Sequence, residues 1–486
     1  MPPTLQPELH IVKHLSIADW VVFVLIFLVT LSMVVFGNLR RRRLPAQDAE
    51  ADLLDLLLMG RRLTLPLFTA TLVATWYGGI FGVTENAFDK GIFNWLTQGV
   101  FWYVAYLIFA CFLVARIRNT RARTMPDLLG KMFGPRSAKV GAWLNLLNVL
   151  PLTYVLTLGT FFTLLFGGNI IVWMTLGAAC VAAYSTLGGF RSVVYSDLVQ
   201  FLVMCSSVVL VIVFSMQIFG GLGWLRAQPS VPETHWKLLG DGESFATALV
   251  WGVIALGTLV DPNFYQRCLA ARDVPTARRG ILWATLIWVC FDFCTTFGAM
   301  YALAVIPEAE PRVAYLVYSL QILPAGLRGF FLAGILATIL STFDSYLFLS
   351  GTIAAYDLAP KRLKGNIRFH HLGTVGMAAT AVVMGILFER SELNLVDVWK
   401  IFGGFATACI LLPLLAGHIF PKQVSDQVFT TACLSGVVLM LGVHGMQWIW
   451  PKHPVISGFV PFYFGLLGTA PVFLYLKPSG RGGGEN

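Results

Sequence analysis

The chain has 486 residues, of which 57% are hydrophobic and only 12% are charged, and its formal net charge is +9. A soluble domain carries about 25% charged residues, so this composition excludes an ordinary soluble protein and indicates an integral membrane protein. The positive balance marks the cytoplasmic side of such a protein and gives no reason to expect a nucleic-acid partner. Its apolar stretches are ~20 residues long, which predicts membrane-spanning helices rather than the ~10-residue alternating strands of a barrel.

The first apolar run, 17–37, is followed by Arg40-Arg41-Arg42-Arg43. A signal peptide has its positive charges before the apolar region and ends at a small-residue cleavage site, so we interpret this run as a retained helix. Because basic residues collect on the cytoplasmic side, the four arginines place the N-terminus outside.

Thirteen membrane-spanning helices are predicted along the chain. They cover residues 17–37, 64–88, 92–115, 139–165, 169–188, 195–219, 245–264, 280–306, 327–356, 370–389, 394–416, 428–450 and 457–476. An odd number places the C-terminus in the cytoplasm, and the cytoplasmic segments then hold 25 of the 34 Lys and Arg residues, against nine outside. We therefore expect an integral protein of a bacterial inner membrane. Its expected partners are the lipid bilayer and the small molecule or ion that crosses it.

Two of the predicted spans contain helix-breaking residues. Thr75 to Gly82 includes three glycines, and the seventh span contains Gly252, Gly257 and Asp261-Pro262. Each break opens a run of five spans with opposite starting orientation, and paired interrupted helices are typical of inverted-repeat transporters with a midplane site. The expected division is 1–63, first repeat 64–219, external loop 220–244, second repeat 245–416, and 417–486 with two trailing helices and a disordered tail.

The ninth predicted span carries a stripe of hydroxyl groups. Thr338, Ser341, Thr342 and Ser345 stand at i, i+3, i+4 and i+7 of a helix, with Asp344 on their flank. A carboxylate inside a membrane helix costs roughly 2.5–3.5 kcal/mol, so it needs a partner, and hard cations prefer such oxygen ligands. The alternative is that the hydroxyls bond carbonyls of their own helix and hold helices together. For Asp344 three roles stay open: an ion ligand, a proton site or a structural brace.

Four segments resemble the motifs of the sodium:solute symporter family, in the family's order. They are Gly188-Gly189 followed by Asp197 and Gln200, the run Ser341-Thr342-Phe343-Asp344-Ser345, the pair Gly82 and Gly91 with an aromatic Phe88 between them, and Gln266-Arg267-Cys268-Leu269-Ala270-Ala271. The resemblance implies an all-α LeuT-type fold, with one leading helix, two inverted five-helix repeats and two trailing helices. It also implies sodium-coupled import of a small solute, with Na+ as the coupling ion and no enzymatic activity; the sequence shows no nucleophile–base pair or metal-ligand cluster of an enzyme.

The resemblance also assigns the ion sites, residue by residue. The main sodium site would use the hydroxyls of Ser341 and Thr342 and the backbone carbonyls of Thr338, Leu72 and Thr75. A second sodium site, present in some members, would use Asp197, Ser341, Asp344 and Ser345. The other interpretation of Asp197 is that it pairs with Arg191 or caps the adjoining helix.

The solute is expected between the two interrupted helices. Thr71 to Gly79, together with Glu85 and Tyr103, looks similar to the choline-transporter branch of the family, where an aromatic cage binds a quaternary ammonium by cation–π attraction. The remaining cage tryptophans of that branch have no counterpart, since Leu150 and Asp261 stand near their places. Acids near the site favour a cationic or zwitterionic solute. The candidate solute-binding residues are Trp76, Gly78, Gly79, Glu85, Tyr103, Asp261, Asn263 and Phe264.

Two other functions remain open at the level of sequence. One is sodium-coupled symport of a sugar or a carboxylate. The other is a transporter-like sensor that binds solute without moving it, which the lack of a large cytoplasmic extension in this chain disfavours. Sequence gives no indication of the oligomeric state.

Overall fold

A computed structural model describes residues 11–42, 49–239, 245–360, 362–390, 395–450, 453, 455–456 and 460–476. Within these residues the chain forms helices and no strand. The expected disordered tail lies outside the described residues, as do four of the basic residues assigned to the cytoplasm, Arg43, Lys361, Lys477 and Arg481.

The helices follow one another along the chain, most of them with short connections between them. The α-helices are Ile11–His14, Ile17–Arg42, Ala49–Leu58, Leu65–Ala74, Ile80–Lys90, Ile92–Trp95, Phe101–Ile108, Val114–Asn119, Met125–Met132, Pro135–Asn148, Leu152–Phe166, Ile170–Ile218, Leu222–Arg226, Phe245–Ala255, Pro262–Ala270, Val274–Val305, Pro311–Ile322, Leu327–Thr352, Ile367–Glu389, Leu395–Ile419, Asp426–Ile449 and Pro461–Thr469. Turns of 3-10 helix occupy Met59–Arg61, Glu233–Trp236, Leu256–Val260 and Ala470–Tyr475. Turns of π-helix occupy Leu96–Val100, Phe109–Leu113 and Ile353–Asp357.

In the described part of the chain, nine helices are long and apolar enough to cross a membrane. Four shorter apolar helices accompany them: Leu65–Ala74, Ile170–Thr186, Gly404–Ile419 and Pro461–Tyr475. Each of the thirteen predicted spans overlaps one of these segments. The number of actual crossings stays a prediction.

Both predicted helix breaks are present. The first interrupted helix consists of Leu65–Ala74 and Ile80–Lys90, separated by the non-helical break Thr75–Gly79. The second interrupted helix consists of Phe245–Ala255 and Pro262–Ala270, with a 3-10 turn and an extended Asp261 between them. Asp261 caps the new helix by accepting a hydrogen bond from Asn263 N at 2.7 Å, and proline stands at the first helical position, where its missing N–H costs nothing.

The fifth and sixth predicted spans are joined in one kinked helix, Ile170–Ile218, where the sequence predicts a short loop. The kink is at Gly189, whose φ of +64° is a left-handed conformation that favours glycine. A Cβ at this position would also lie 2.8 Å from the carbonyl oxygen of Leu56, on the helix Ala49–Leu58. The glycine pair of the family motif therefore lets the chain bend and lets another helix pack closely against the bend.

The helix of the hydroxyl stripe, Leu327–Thr352, lies at the centre of the bundle and is called the stripe helix below. In the apolar segment Leu327–Asp357, 94% of an 18-residue apolar stretch is buried inside the protein, against 22% for the corresponding stretch of the leading helix Ile17–Arg41. The stripe helix is thus surrounded by protein, and the leading helix is left to face lipid.

The start of the first interrupted helix and the end of the second are joined by backbone hydrogen bonds. Leu63, just before the first, donates its N–H to Ala270 O at 3.1 Å, and Arg272 N donates back to Leu63 O at 3.0 Å. This isolated β-bridge joins the start of one interrupted helix to the end of the other. Movement of either helix on this side therefore pulls on its partner.

Candidate functional site

The four hydroxyls of the stripe are buried, with at most 1% of each residue exposed. Three of them bond carbonyls of their own helix: Thr338 Oγ1 donates to Ile335 O at 2.6 Å, Ser341 Oγ to Ala337 O at 2.7 Å, and Thr342 Oγ1 to Thr338 O at 2.9 Å. These contacts are those of the structural interpretation, in which the hydroxyls bond carbonyls of their own helix. Ser341 also reaches a second partner, outside the helix.

Ser341 connects the stripe helix to the break in the first interrupted helix. Its Oγ lies 2.7 Å from the carbonyl oxygen of Ala74, the last residue before the break. Close approach is possible because residue 78 is glycine: a Cβ there would lie 2.7 Å from Thr342 Cβ and 2.6 Å from the Tyr154 ring. The expectation that the stripe faces the first interrupted helix is confirmed by these contacts.

The second interrupted helix meets the same place through Asn263. Its Nδ2 donates to Thr75 Oγ1 at 3.1 Å, and Thr75 Oγ1 in turn donates to Thr71 O at 2.9 Å and Leu72 O at 3.3 Å. Three elements, two of them interrupted, therefore converge on residues Thr75–Gly79.

The oxygen atoms gathered here are of a type that can bind a hard cation. Ser341 Oγ, Thr342 Oγ1 and the carbonyls of Ala74 and Thr338 are uncharged oxygen ligands, the type that hard cations prefer. The Ala74 carbonyl belongs to a helix end, where the intrahelical N–H partners are missing. The structure thus brings together Thr338, Ser341 and Thr342, as expected, and adds the carbonyl of Ala74. The carbonyls of Leu72 and Thr75 stay predictions; the Leu72 carbonyl accepts from the Thr75 hydroxyl in this arrangement.

The expected second sodium site is not available in this arrangement, because Arg267 occupies it. Arg267 is fully buried; its Nη2 donates to Ser345 Oγ at 3.0 Å and lies 3.7 Å from Asp197 Oδ2. The same nitrogen donates to Thr71 Oγ1 at 3.0 Å, and Asp197 accepts a further hydrogen bond from that hydroxyl. A sodium ion between Asp197 and Ser345 would therefore share its ligands with a guanidinium cation, and like charges this close repel.

One other interpretation of the buried acids is also corrected. Arg191, which the sequence offered as a partner of Asp197, pairs instead with Asp55 on the helix Ala49–Leu58. Asp344 accepts a hydrogen bond from the Tyr184 hydroxyl at 3.2 Å, and its other carboxylate oxygen is buried without a hydrogen-bond partner among the described residues. The contact joins the stripe helix to the kinked helix, as a structural brace would, and the roles of Asp344 as an ion ligand or a proton site stay predictions.

An aromatic cluster adjoins the break. It is made of Trp76, Tyr106, Phe264 and Trp288. Trp76 lies 5.7 Å from Tyr106 and 5.9 Å from Trp288 between ring centroids, and Tyr106 and Trp288 are 4.4 Å apart. Two of the expected solute-binding residues, Trp76 and Phe264, thus come together, with Tyr106 and Trp288 as partners that the sequence did not single out.

Tyr103 leads to a further residue that the sequence interpretation missed. Its hydroxyl donates to the carboxylate of Asp292 and accepts from Trp95 Nε1, 3.2 Å away. Asp292 is 4% exposed and stands in the middle of the long helix Val274–Val305. A lone acid inside an apolar span is itself a signal of a functional site, and that signal was present in the sequence.

The remaining candidates lie at the edge of this region. Both carboxylate oxygens of Asp261 are engaged, one by Asn263 N and the other by the Tyr346 hydroxyl at 3.4 Å, so its role here is to hold the second interrupted helix. Gly79 borders open space, since a Cβ there would meet no atom within 4 Å. Glu85 is half-buried, about 8 Å along the helix from Ile80, and lies beyond the break.

Comparisons with known proteins identify the type of protein that this chain resembles. The model of the sodium:solute symporter family matches residues 56–443. An osmoregulated proline transporter of Bacillus subtilis (strain 168) is 25% identical over 408 residues, which cover 78% of this chain and 81% of that protein. A sodium/glucose cotransporter of Vibrio parahaemolyticus is 23% identical over 388 residues, which cover 73% of this chain and 66% of that protein.

A solved structure gives the fold. A Na+-coupled sialic acid symporter, in a substrate-bound outward-open state, superimposes with a TM-score of 0.73 at 16% identity, covering 95% of this chain and 97% of that chain. The predicted all-helical LeuT-type fold is confirmed by this likeness. The three proteins are named for different solutes, so the solute of this chain has to be inferred from its own residues.

Proposed function

The chain belongs to the sodium:solute symporter family, and from this premise we propose that it is a sodium-coupled secondary active symporter that imports a small cationic or zwitterionic solute. Sodium is bound where the stripe helix meets the break in the first interrupted helix. The residues that hold it are Ser341 and Thr342 through their hydroxyls and Thr338 and Ala74 through their carbonyls, with Leu72 and Thr75 as further carbonyl ligands.

The observation that carries this proposal is the contact of Ser341 Oγ with Ala74 O at 2.7 Å. In this contact a hydroxyl of the stripe helix reaches a helix-end carbonyl of the first interrupted helix. A complete oxygen cage for sodium exists only while these two helices are close together. Sodium binding therefore favours the arrangement in which they touch, by as much as its affinity differs between the two arrangements.

Solute binding is linked to the same segment. Trp76, Gly78 and Gly79 belong to the break, and Ala74 directly precedes it. A solute held by Trp76 fixes the position of the break, and the break in turn fixes the position of the Ala74 carbonyl. Sodium and solute therefore each favour binding of the other, as a symporter requires.

The class of solute follows from the aromatic cluster and the acids beside it. Aromatic faces attract cations, and this cluster contains Trp76, Tyr106 and Trp288, with Asp292 one helical turn beyond Trp288. This supports the cationic or zwitterionic class over a sugar or a simple carboxylate. We further propose that the protein lies in a bacterial inner membrane with its N-terminus outside and its C-terminus in the cytoplasm, as the distribution of Lys and Arg predicts.

Uptake into proteoliposomes tests the proposed function. Purified protein is reconstituted and given radiolabelled proline, glycine betaine, choline, glucose or sialic acid under an inward sodium gradient or an equal potassium gradient. We expect accumulation of a solute with a cationic nitrogen in sodium only. Equal uptake in sodium and potassium would refute sodium coupling, and solute binding without any uptake would indicate the sensor instead.

A further inference from the structure

Beside the break, two helices face each other through two pairs of residues, which are called steps below. One step is Tyr103 with Asp292, and the other is Tyr106 with Trp288. Tyr103 and Tyr106 stand three residues apart on Phe101–Ile108, and Trp288 and Asp292 stand four apart on Val274–Val305, so each pair shares one helix face. Tyr103 is hydrogen-bonded to Asp292, and the rings of Tyr106 and Trp288 lie 4.4 Å apart. The segment with the two tyrosines is flanked by π-helical turns, which are frequent at functional sites.

Three polar atoms of these steps are buried without a hydrogen-bond partner in the described part of the protein. They are Tyr106 Oη, Trp288 Nε1 and Asp292 Oδ1. Buried polar groups are nearly always paired, so three unpaired atoms on two facing steps indicate a place where a polar ligand can bind. Trp Nε1–H can only donate, a tyrosine hydroxyl can donate, and a carboxylate oxygen accepts.

The charges at this place are also unbalanced. Among the described residues, no ion pair is found for Asp292. Asp261, the other acid near the break, differs in that both of its oxygens are engaged by Asn263 and Tyr346. A carboxylate buried in a membrane helix needs a positive partner, and here a ligand is the available source of one.

We propose that the transported solute is a zwitterion whose two charges are bound on these two steps. Its cationic nitrogen lies against Asp292 Oδ1 and its anionic group accepts hydrogen bonds from Trp288 Nε1 and Tyr106 Oη. This inference rests on the proposed function and narrows its solute class, since a cation without an anionic group would leave Trp288 and Tyr106 unpaired. Asp292 thereby becomes the residue that decides between charged and neutral solutes.

The position of Trp76 links this site to the sodium site. Its ring is in contact with those of Tyr106 and Trp288, so a solute enters only when Trp76 moves away from them. Trp76 lies on the break, two residues from the Ala74 carbonyl that Ser341 contacts. Binding of the zwitterion thus repositions the segment that carries a sodium ligand.

A matched pair of solutes tests the inference. Glycine betaine and choline carry the same trimethylammonium group, but betaine ends in a carboxylate where choline ends in a hydroxyl. The readout is the rise in melting temperature of the purified protein on adding each solute in saturating sodium. We expect betaine or proline to stabilise the protein and to bind at least tenfold more tightly than choline, glucose and sialic acid. Stabilisation by glucose, sialic acid or choline alone, or by none of the five, would overturn the inference.

Substitutions test which side chains bind the cationic and the anionic group of the solute. We expect Asp292→Asn to weaken binding of the stabilising zwitterion at least tenfold, and Tyr106→Phe and Trp288→Phe to weaken it about fivefold each. Tyr315→Phe is the matched control, because the Tyr315 hydroxyl is also buried without a partner in the described part of the protein, but its ring packs at Gly298, six residues beyond Asp292 along the helix Val274–Val305, and outside the two steps. Unchanged affinity in Tyr106→Phe and Trp288→Phe contradicts the inference even if Asp292→Asn fails to fold.

Sodium titration separates failure of this inference from failure of the proposed function. The variants above leave the sodium ligands intact, so they keep the sodium-dependent rise in melting temperature. If the unmodified protein shows no such rise, the proposed function falls. If it shows the rise but Asp292→Asn binds solute as well as the unmodified protein does, the symporter stands and the zwitterion site is wrong.

Discussion

Arg267 carries a positive charge in the fully buried centre of the protein, 3.7 Å from Asp197 and bonded to Ser345 and Thr71. One of its nitrogens also bonds the side chain of Asn263, which in turn contacts Thr75 at the break. Through these bonds one side chain joins both interrupted helices to the stripe helix. A buried ion pair adds little net stability, but the loss of one partner leaves an uncompensated charge.

We therefore expect Arg267→Met to destabilise the protein by about 3–5 kcal/mol, because Asp197 is left buried and unpaired. The measurement is the melting temperature of purified protein, with Arg267→Met/Asp197→Asn expected to recover part of the loss. Arg272→Met is the control: the side chain of Arg272 is 67% exposed and forms an ion pair with the neighbouring Asp273, and such exposed pairs contribute about 0–1 kcal/mol. Equal melting temperatures for Arg267→Met and Arg272→Met would show that the buried pair is not structural.

At the scale of elements, the distance between the break and the stripe helix controls the sodium site. Gly78 permits that distance, since a Cβ there would meet Thr342 Cβ at 2.7 Å and Tyr154 at 2.6 Å. We expect Gly78→Ala to push the break away from Ser341 and to weaken sodium affinity about tenfold, equivalent to about 1.4 kcal/mol. Gly79→Ala adds the same methyl group where nothing lies within 4 Å, so it keeps the sodium affinity of the unmodified protein. Sodium titration of the melting temperature distinguishes the two, and equal affinities would contradict the account.

The kink of the helix Ile170–Ile218 gives a second test at this scale. Gly189→Ala forces a side chain into a left-handed conformation and against the Leu56 carbonyl, so we expect a loss of about 1–3 kcal/mol in stability. Gly376→Ala, in the regular helix Ile367–Glu389 with no atom within 4 Å of the new Cβ, should be neutral or stabilise by about 0.4–1 kcal/mol. Thermal unfolding of both variants is the measurement, and a neutral Gly189→Ala would show that the kink tolerates a side chain.

Sequence patterns predicted the elements better than they predicted the contacts. The two breaks and the hydroxyl stripe were visible because glycine, proline and helical periodicity are local properties of the chain. The contact of Ser341 with Ala74, and not with Leu72 or Thr75, depends on where the helix ends to within one residue, which periodicity does not fix. Arg267 was visible as part of a motif, but its place between Asp197 and Ser345 depends on the packing of three separate helices.

At the scale of the whole molecule, the orientation in the membrane decides the direction of transport. We expect Ala227→Cys, exposed on the predicted external side, to react with a membrane-impermeant maleimide in intact cells when all eight native cysteines are replaced. Lys139→Cys, exposed on the predicted cytoplasmic side, should react only after the membrane is permeabilised. The reverse pattern would invert the proposed topology.

The central claim is that sodium binds between the stripe helix and the first interrupted helix. A sodium titration of purified protein at constant ionic strength, with potassium as the replacing ion and the melting temperature as readout, measures this binding directly. We expect a saturable rise in the unmodified protein and in Ser350→Ala, whose hydroxyl donates to Leu347 O of its own helix. We expect Ser341→Ala/Thr342→Ala to lose the rise or to need more than about tenfold more sodium, a loss of about 1.4 kcal/mol or more. An unchanged titration in the double variant would place the sodium site elsewhere and contradict the account.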